Sequence, residues 1–493
     1  MRNESLGVIE FGTLAPDLPD IAGQHMEVAR NVIPRLRGYD PLPELVVYSD
    51  ALPSSARALG AASFKAAGDT AYNVVGTAGN LYLASSGSWN DISRSTPAYA
   101  SAARWEFVQF GQRALAASLA NDLQAWTLGA ANAVDLVSTL KASSIAVVRG
   151  NQVLVGDVND SDGHTPNRLR WCAVGDADDW TPSASTLAGF TQLESTTGGK
   201  ILRVVGGEFA IVFLDRSIWR ATFTGDSAQA YQIDEVEQGI RTIAPGGILR
   251  HAGKVWYLSE DGFRVTAGGQ SEPFGEERID QEVLTDFDED FPESISATVL
   301  QDQQTLVFSY PGSGNVGGVA NKLALYNINA RKWALGEEAV HLLTESRTPF
   351  TTLEDLDALY ATLEDVPGSL DDPVWKGGGL QSGAIDADGK AAFFTGEART
   401  AVFETAEMQH TRGGNTYIDT VRPVIEGGDL DLEIGFRESQ SGAVTFKPPT
   451  QPNSVGECES RVDSRYLRYR VTVRPPWSSA FGVEPKGRPS GGR

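Results

Sequence analysis

Cysteine is nearly absent: Cys172 and Cys458 are the only two in 493 residues. Two thiols so far apart exclude a disulfide framework, and each is expected to be a buried free thiol. Histidine is scarce too. The five residues, at 25, 164, 251, 341 and 410, show no metal-ligand spacing. No run approaches the 18 apolar residues of a membrane-spanning helix, and the opening MRNESLGVIEFG has no apolar core of signal-peptide length. The expectation is a chain made in the cytoplasm and kept there, or assembled there into something larger. Positive charge is short as well: 41 Lys and Arg stand against 64 Asp and Glu, a net charge of −23. That argues against a nucleic-acid reader, which carries a basic face. It leaves room for a wall that DNA slides past, because like charge removes the phosphate-binding contribution.

What is present is glycine, 52 residues of it, and enough hydrophobic residues (41%) for a real core. The two pieces ILRVVGGEFAIVFLDRSIWRATFTG and GIRTIAPGGILRHAGKVWYLSEDGFRV share one grammar. A short apolar run ends in a tight turn, a strongly apolar run follows, then an acidic turn, then a run carrying an aromatic, Trp219 or Phe263. Runs of 4–6 residues rich in Val, Ile and aromatics, bounded by Gly or Asp, are short antiparallel strands. The tight turns fall at Gly68, Gly111, Gly150, Gly206 and Gly253, with two further units at VLQDQQTLVFSYPG and GAIDADGKAAFFTG. A spacing of roughly 40–55 residues is the period of a four-stranded propeller blade. The chain is therefore expected to be all-β: a β-propeller of six or seven blades over residues 46–400, rather than a pair of β-sandwiches.

Outside the period, residues 1–45 hold prolines at 16, 19, 34, 41 and 43 and read as an extended N-terminal arm lying on a surface, with a short helix around His25 to Val32. A disordered leader is the other reading. Two insertions interrupt the propeller, at 157–190 and 344–380. In the second, Thr351 and Glu354 fit a capping box, and Leu353, Leu356, Tyr360 and Leu363 share a helical face; a chain of acidic turns fits the same residues. Residues 401–475 alternate polar and apolar more strictly and read as a C-terminal β-sandwich, followed by a flexible basic tail at 476–493.

Little here points to chemistry. Asp157, Asn159, Ser161 and Asp162 alternate like a calcium loop, but Gly163 is one place late and no Glu closes the set. Ser259, Asp261 and Gly262 resemble a sialidase Asp-box with the wrong spacing. The acidic run 286–294 reads as a solvated loop, and Gly198-Gly199 and Gly377-Gly378-Gly379 lead into no phosphate loop. No His lies near Cys172 in sequence. The chain is read as a non-enzyme, with no catalytic, metal or cofactor-binding residue assigned and no cofactor required.

One resemblance goes further. RLRWCAVGDADDWTPS, then GGKILRVVGGEFAIVFLDRSIWRATFTG, EQGIRTIAPGGILRHAGKVWYLSEDGFRV, NKLALYNINARKWALGE and the late RYLRYRVTV resemble tail proteins of double-stranded DNA bacteriophages, over about residues 150–475. The likeness is to hub or nozzle proteins of short tails, the packaged-DNA-stabilisation type. It implies a virion structural protein forming a ring, of six copies, below the portal and its adaptor, with tail fibre, spike or needle proteins as neighbours. Double-stranded DNA would pass through the ring's lumen without specific binding, and an acidic lumen would let it slide. A carbohydrate-binding or carbohydrate-active propeller recognising a cell-surface glycan is the alternative, favoured by ten tryptophans and many acidic loops. If Trp219 is buried within a central blade, Trp219→Ala costs about 3–5 kcal/mol.

Overall fold

The computed structural model describes residues 4–490 apart from 21–22, 276, 349–361 and 363–378. It is nearly all β, and among the described residues one α-helix occurs, Asp280–Asp286. Strands arrive in antiparallel fours, in chain order. The first sheet is Gly60–Lys65, Ala71–Gly76, Leu81–Ser85 and Ser88–Asp91. The second is Glu106–Phe110, Arg113–Ser118, Asn121–Thr127 and the short Val134–Asp135. The third is Lys141–Val148, Gln152–Asp160, Gly163–Trp171 and Gly189–Gln192. The fourth is Ile201–Val205, Ala210–Leu214, Ser217–Phe223 and Tyr231–Gln238. The fifth is Leu249–His251, Lys254–Ser259, Gly262–Thr266 and Glu272–Pro273.

The sixth set uses Ser296–Leu300, Thr305–Tyr310, Ala320–Asn327 and the first half of the long strand Lys332–Arg347. The second half of that strand opens a seventh set, pairing with Leu380–Asp386, which pairs with Ala391–Ala398. The outer partner of Ala391–Ala398 comes from the start of the chain, Pro43–Val47. In these last two sets, residues 380–398 and 43–47 belong to the same large sheet as the terminal strands.

The glycines at the expected turns do two different jobs. Gly111, Gly150 and Gly253 take positive φ, which L side chains adopt at a cost. Gly206 does not. A β-carbon there would sit 2.1 Å from the Val147 carbonyl oxygen, so it is the neighbouring third sheet that excludes a side chain.

Each sheet shares an apolar core with the next. Phe64, Val74 and Leu81 of the first sheet pack with Ala114, Ala116 and Trp126 of the second. Leu115 and Leu123 meet Ile145, Val153 and Val155 of the third. Leu154, Leu169 and Trp171 meet Val204, Val212 and Tyr231 of the fourth. Phe213 and Ile218 meet Val255 and Tyr257 of the fifth. Trp256, Phe263 and Val265 join Phe308, Leu325 and Trp333 of the sixth in the largest core, which also takes in Leu343 and Ala384. Last, Ile385, Ala391 and Phe393 pack with Val75 and Tyr82 of the first sheet. The sequence of shared cores returns to its start.

Several expectations about the ends are corrected. The segment from His25 to Val32 is not helical: Met26–Arg30 is a strand between Ala401–Thr405 and the strand at Leu335. Nor do residues 1–45 form a surface arm. Phe11, Leu14, Met26, Val32, Ile33, Tyr39 and Leu42 are buried, with Phe11 stacked on Phe403 at 4.6 Å. Asp17 even caps the helix at 280–286, its carboxylate accepting from the Gln281 and Glu282 amides at 2.8 and 3.0 Å. The C-terminal strands do not stop at 475 and make no separate unit. Tyr466–Ser490 is one strand of 25 residues, paired with Asn415–Arg437 and, near its end, with Glu4–Ser5 and Ile9–Glu10. The expected flexible tail is thus a sheet strand up to residue 490. Of the expected insertion at 157–190, the first part is sheet, the hairpin that ends Gln152–Asp160 and begins Gly163–Trp171. The expectation about 351–366 lies outside the described residues, Thr362 apart.

Trp219 is half-buried on the fourth sheet and donates to Ser217 Oγ at 3.1 Å. The better-buried indole is Trp105, between the first and second sheets, donating to the Thr77 carbonyl at 2.8 Å and packed edge-on against Tyr99. Trp105→Ala is expected to cost about 3–5 kcal/mol and Trp219→Ala about half of that or less, because part of its face already meets water. Urea unfolding of both variants checks the order; equal losses would contradict the assigned burial.

Candidate functional site

The residues singled out for chemistry are dispersed by the fold. His164 Nε2 lies 2.7 Å from Asp157 Oδ1, placed to donate to the carboxylate in the tautomer that carries the proton there. Beside it, Arg168 Nη1 reaches both oxygens of Asp160 at 2.9 Å and Asp162 at 3.0 Å, and Arg170 reaches Asp160 at 2.7 Å. Asp160 and Asp162 therefore face guanidinium groups and Asp157 an imidazole; Asn159 and Ser161 lie in the same hairpin. Ser259 Oγ donates to the Gly262 carbonyl at 2.7 Å and accepts the Asp261 amide, so this resemblance to an Asp-box is a hairpin turn. In the acidic run, Asp286 accepts the Ser313 amide and Asp288 accepts from Asn315, which ties one loop to another. Gly198 gives room to Ser217 Oγ, which a β-carbon there would meet at 2.5 Å.

The remaining histidines are equally separate. His25 contacts Glu27 at 3.1 Å, His251 contacts Gln304 at 3.1 Å, and the Nδ1 of His341 accepts the Ala58 amide at 3.5 Å. His410 pairs with the buried Tyr469 hydroxyl at 2.8 Å. Both thiols are buried and free. Burial pushes each up to about 11, which leaves almost no thiolate at neutral pH and removes the nucleophile. Among the described residues, no three His, Cys, Asp or Glu side chains converge as a metal site.

Two cavities lined by described residues are large enough to hold a ligand, and neither was legible as a site in the sequence. One, of about 440 Å³, lies where the first strands of the second to fifth sheets and Ala297 come together. Its charged lining is Glu106, Arg203 and Arg250. Glu106 is buried but paired: Arg203 Nε donates to it at 2.7 Å, the Ile145 amide at 3.2 Å, and Arg104 lies 3.6 Å away. Arg203 also donates to the Pro245 carbonyl at 3.1 Å and to that of Ile248. A carboxylate held this way bridges the second, third and fourth sheets, and through Arg203 the turn before the fifth.

The other cavity is a groove of about 630 Å³ between the outer parts of the third and fourth sheets. Trp171, Trp219 and Tyr231 line it, with Thr191, Gln192, Ser183, Ser227 and Gln229 on its polar side. The polar ends of the aromatic groups are already used: Trp171 donates to the Leu187 carbonyl at 2.9 Å and Tyr231 to Gln152 at 2.8 Å. What they offer a ligand is apolar surface. The only sequence signal for this groove is the short uncharged run Gly189–Gln192. Compared with protein-family models and with curated proteins, the chain matches none.

Burial lowers His410 from its ordinary value to about 4. The unfolded chain therefore binds this proton more readily, so stability is complete above about pH 6.5 and falls as pH drops toward 4, by on the order of 2–3 kcal/mol. Urea midpoints at pH 7 and pH 4.5 should fall further apart for the wild type than for His410→Gln. Identical shifts would mean the imidazole titrates freely.

Proposed function

We propose that this chain is a virion structural protein of a bacteriophage tail, a hub or nozzle subunit built on a seven-bladed β-propeller. The observation that carries the architectural half is the cycle of shared cores, in which the seventh set packs against the first and takes its outer strand from Pro43–Val47. A propeller needs each blade covered on both faces and its last blade joined to the start of the chain. The functional half rests on the residues that resemble short-tail hub proteins, because a fold of this kind hosts many functions. Two of those pieces, Arg168 to Trp171 and Ile218-Trp219, lie on the facing third and fourth sheets.

In this reading six copies close a ring beneath the portal and adaptor. The ring retains packaged DNA and conducts it at ejection, and its outer side meets fibre, spike or needle proteins. Closed rings require heterologous contacts between copies, and a net charge of −23 suits a wall that duplex DNA passes without adhering. Native mass spectrometry of the purified chain, alone and with portal-adaptor complexes, tests it. A discrete assembly of six copies, formed alone or on the adaptor, is expected. A monomer under both conditions would overturn the reading.

A further inference from the structure

The outer strand of the third sheet differs from the other outer strands. An unpaired sheet edge is a template for another strand, and proteins commonly guard it with charge or proline. The outer strand of the first sheet ends in Asp91, and the second sheet's short flank carries Asp135. The fourth sheet's outer strand has Asp234, Glu235 and Glu237, and the fifth sheet's is Glu272–Pro273. Gly189–Gln192 ends its sheet with no charge and no proline, and Phe190 on it is 44% exposed. This same strand borders the 630 Å³ groove, none of whose lining residues is charged in a chain where 21% of residues are.

We propose that this edge is a docking site for an extended, uncharged polypeptide segment of a partner protein, which adds to Gly189–Gln192 as a further antiparallel or parallel strand. Alternation along the ladder leaves outward backbone N–H and C=O groups on an edge strand, and these supply the pairing. Thr191 and Gly189 share the face of Trp171, with which Gly189 pairs across the ladder. Alternate side chains of the incoming strand on that face would meet Trp171 and Trp219. The absence of charge selects against acidic or basic segments, because a buried unpaired charge is costly. This inference does not depend on the phage-tail reading.

The test uses the full chain and a blocked hexapeptide of alternating threonine and valine, with a control of the same sequence N-methylated at alternate amides. Binding is followed by isothermal calorimetry and by hydrogen exchange over residues 186–193. The unmethylated peptide should bind and protect that strand, and the methylated one should bind at least tenfold more weakly. Thr191→Lys, on the Trp171 face, should weaken binding about tenfold with the melting temperature unchanged, and Gln192→Lys, on the exposed side, should weaken it less than about threefold. Three results would overturn the proposal: equal binding of both peptides, wild-type affinity in Thr191→Lys, or no peptide binding. Binding of a neutral oligosaccharide in the groove that competes with no peptide would instead assign it to glycan and equally sink the proposal.

Discussion

A four-stranded sheet has two faces, and each must be covered by something apolar. In this chain the cover for nearly every sheet is another sheet, so no sheet could keep its core if its neighbours were removed. The dependence is circular. Val75 and Tyr82 at the start need Ile385 and Phe393 from almost the end, and Ala391–Ala398 needs Pro43–Val47 as its outer partner. Burying an aromatic or branched side chain is worth roughly 1.5–3 kcal/mol. The closing core holds several of them, which is of the order of a domain's whole net stability. Closure by distant segments also makes the contact order high, and such chains fold slowly because loop entropy is spent before the contacts form.

Charge is used inside this framework as a fastener. Asp20, close to the start, receives Arg437 at 3.1 Å and Arg468 at 2.9 Å. Arg468 also reaches Glu404 at 3.0 Å, Arg470 meets Glu404 at 2.7 Å, and Arg437 holds Glu407 at 2.6 Å. The network pins the first twenty residues to the long C-terminal strands. Glu106 plays the equivalent part at the centre, where Arg203 ties it to two carbonyls of the next turn. Replacing such pairs by apolar groups need not destabilise, but removing one partner leaves a costly unpaired charge. Their value is in fixing which strands meet.

The two cavities follow from the same geometry. The first strands of the second to fifth sheets line one cavity, and the later strands of the third and fourth sheets line the groove. The first cavity is lined by the paired Glu106 and Arg203, and the groove by an uncharged strand that ends its sheet. The close approach of the first strands accounts for Gly206, where the third sheet's Val147 leaves no space for a β-carbon.

The repeat was legible in the residues themselves. Strand runs of four to six residues, turn glycines at 111, 150 and 253, and the hairpins around Trp219 and Phe263 are local, since alternation and positive-φ turns are properties of a few neighbouring residues. The acidic hairpin at 157–162 looks like a solvated loop in the sequence, but Asp157 and the side chain of Asp160 are buried and the arginine partners of Asp160 lie on the returning strand. What local pattern could not reveal is partnership across hundreds of residues. The prolines before residue 45 look like a loose arm until Met26–Arg30 is set beside Ala401–Thr405. The Pro- and Gly-rich end looks mobile until it pairs with residues 415–427. Proline and glycine weaken a strand's own preference, but a partner on each side restores it. That choice belongs to tertiary structure, because ladder hydrogen bonds and shared cores, not the segment's composition, decide whether an extended segment is free or becomes a strand.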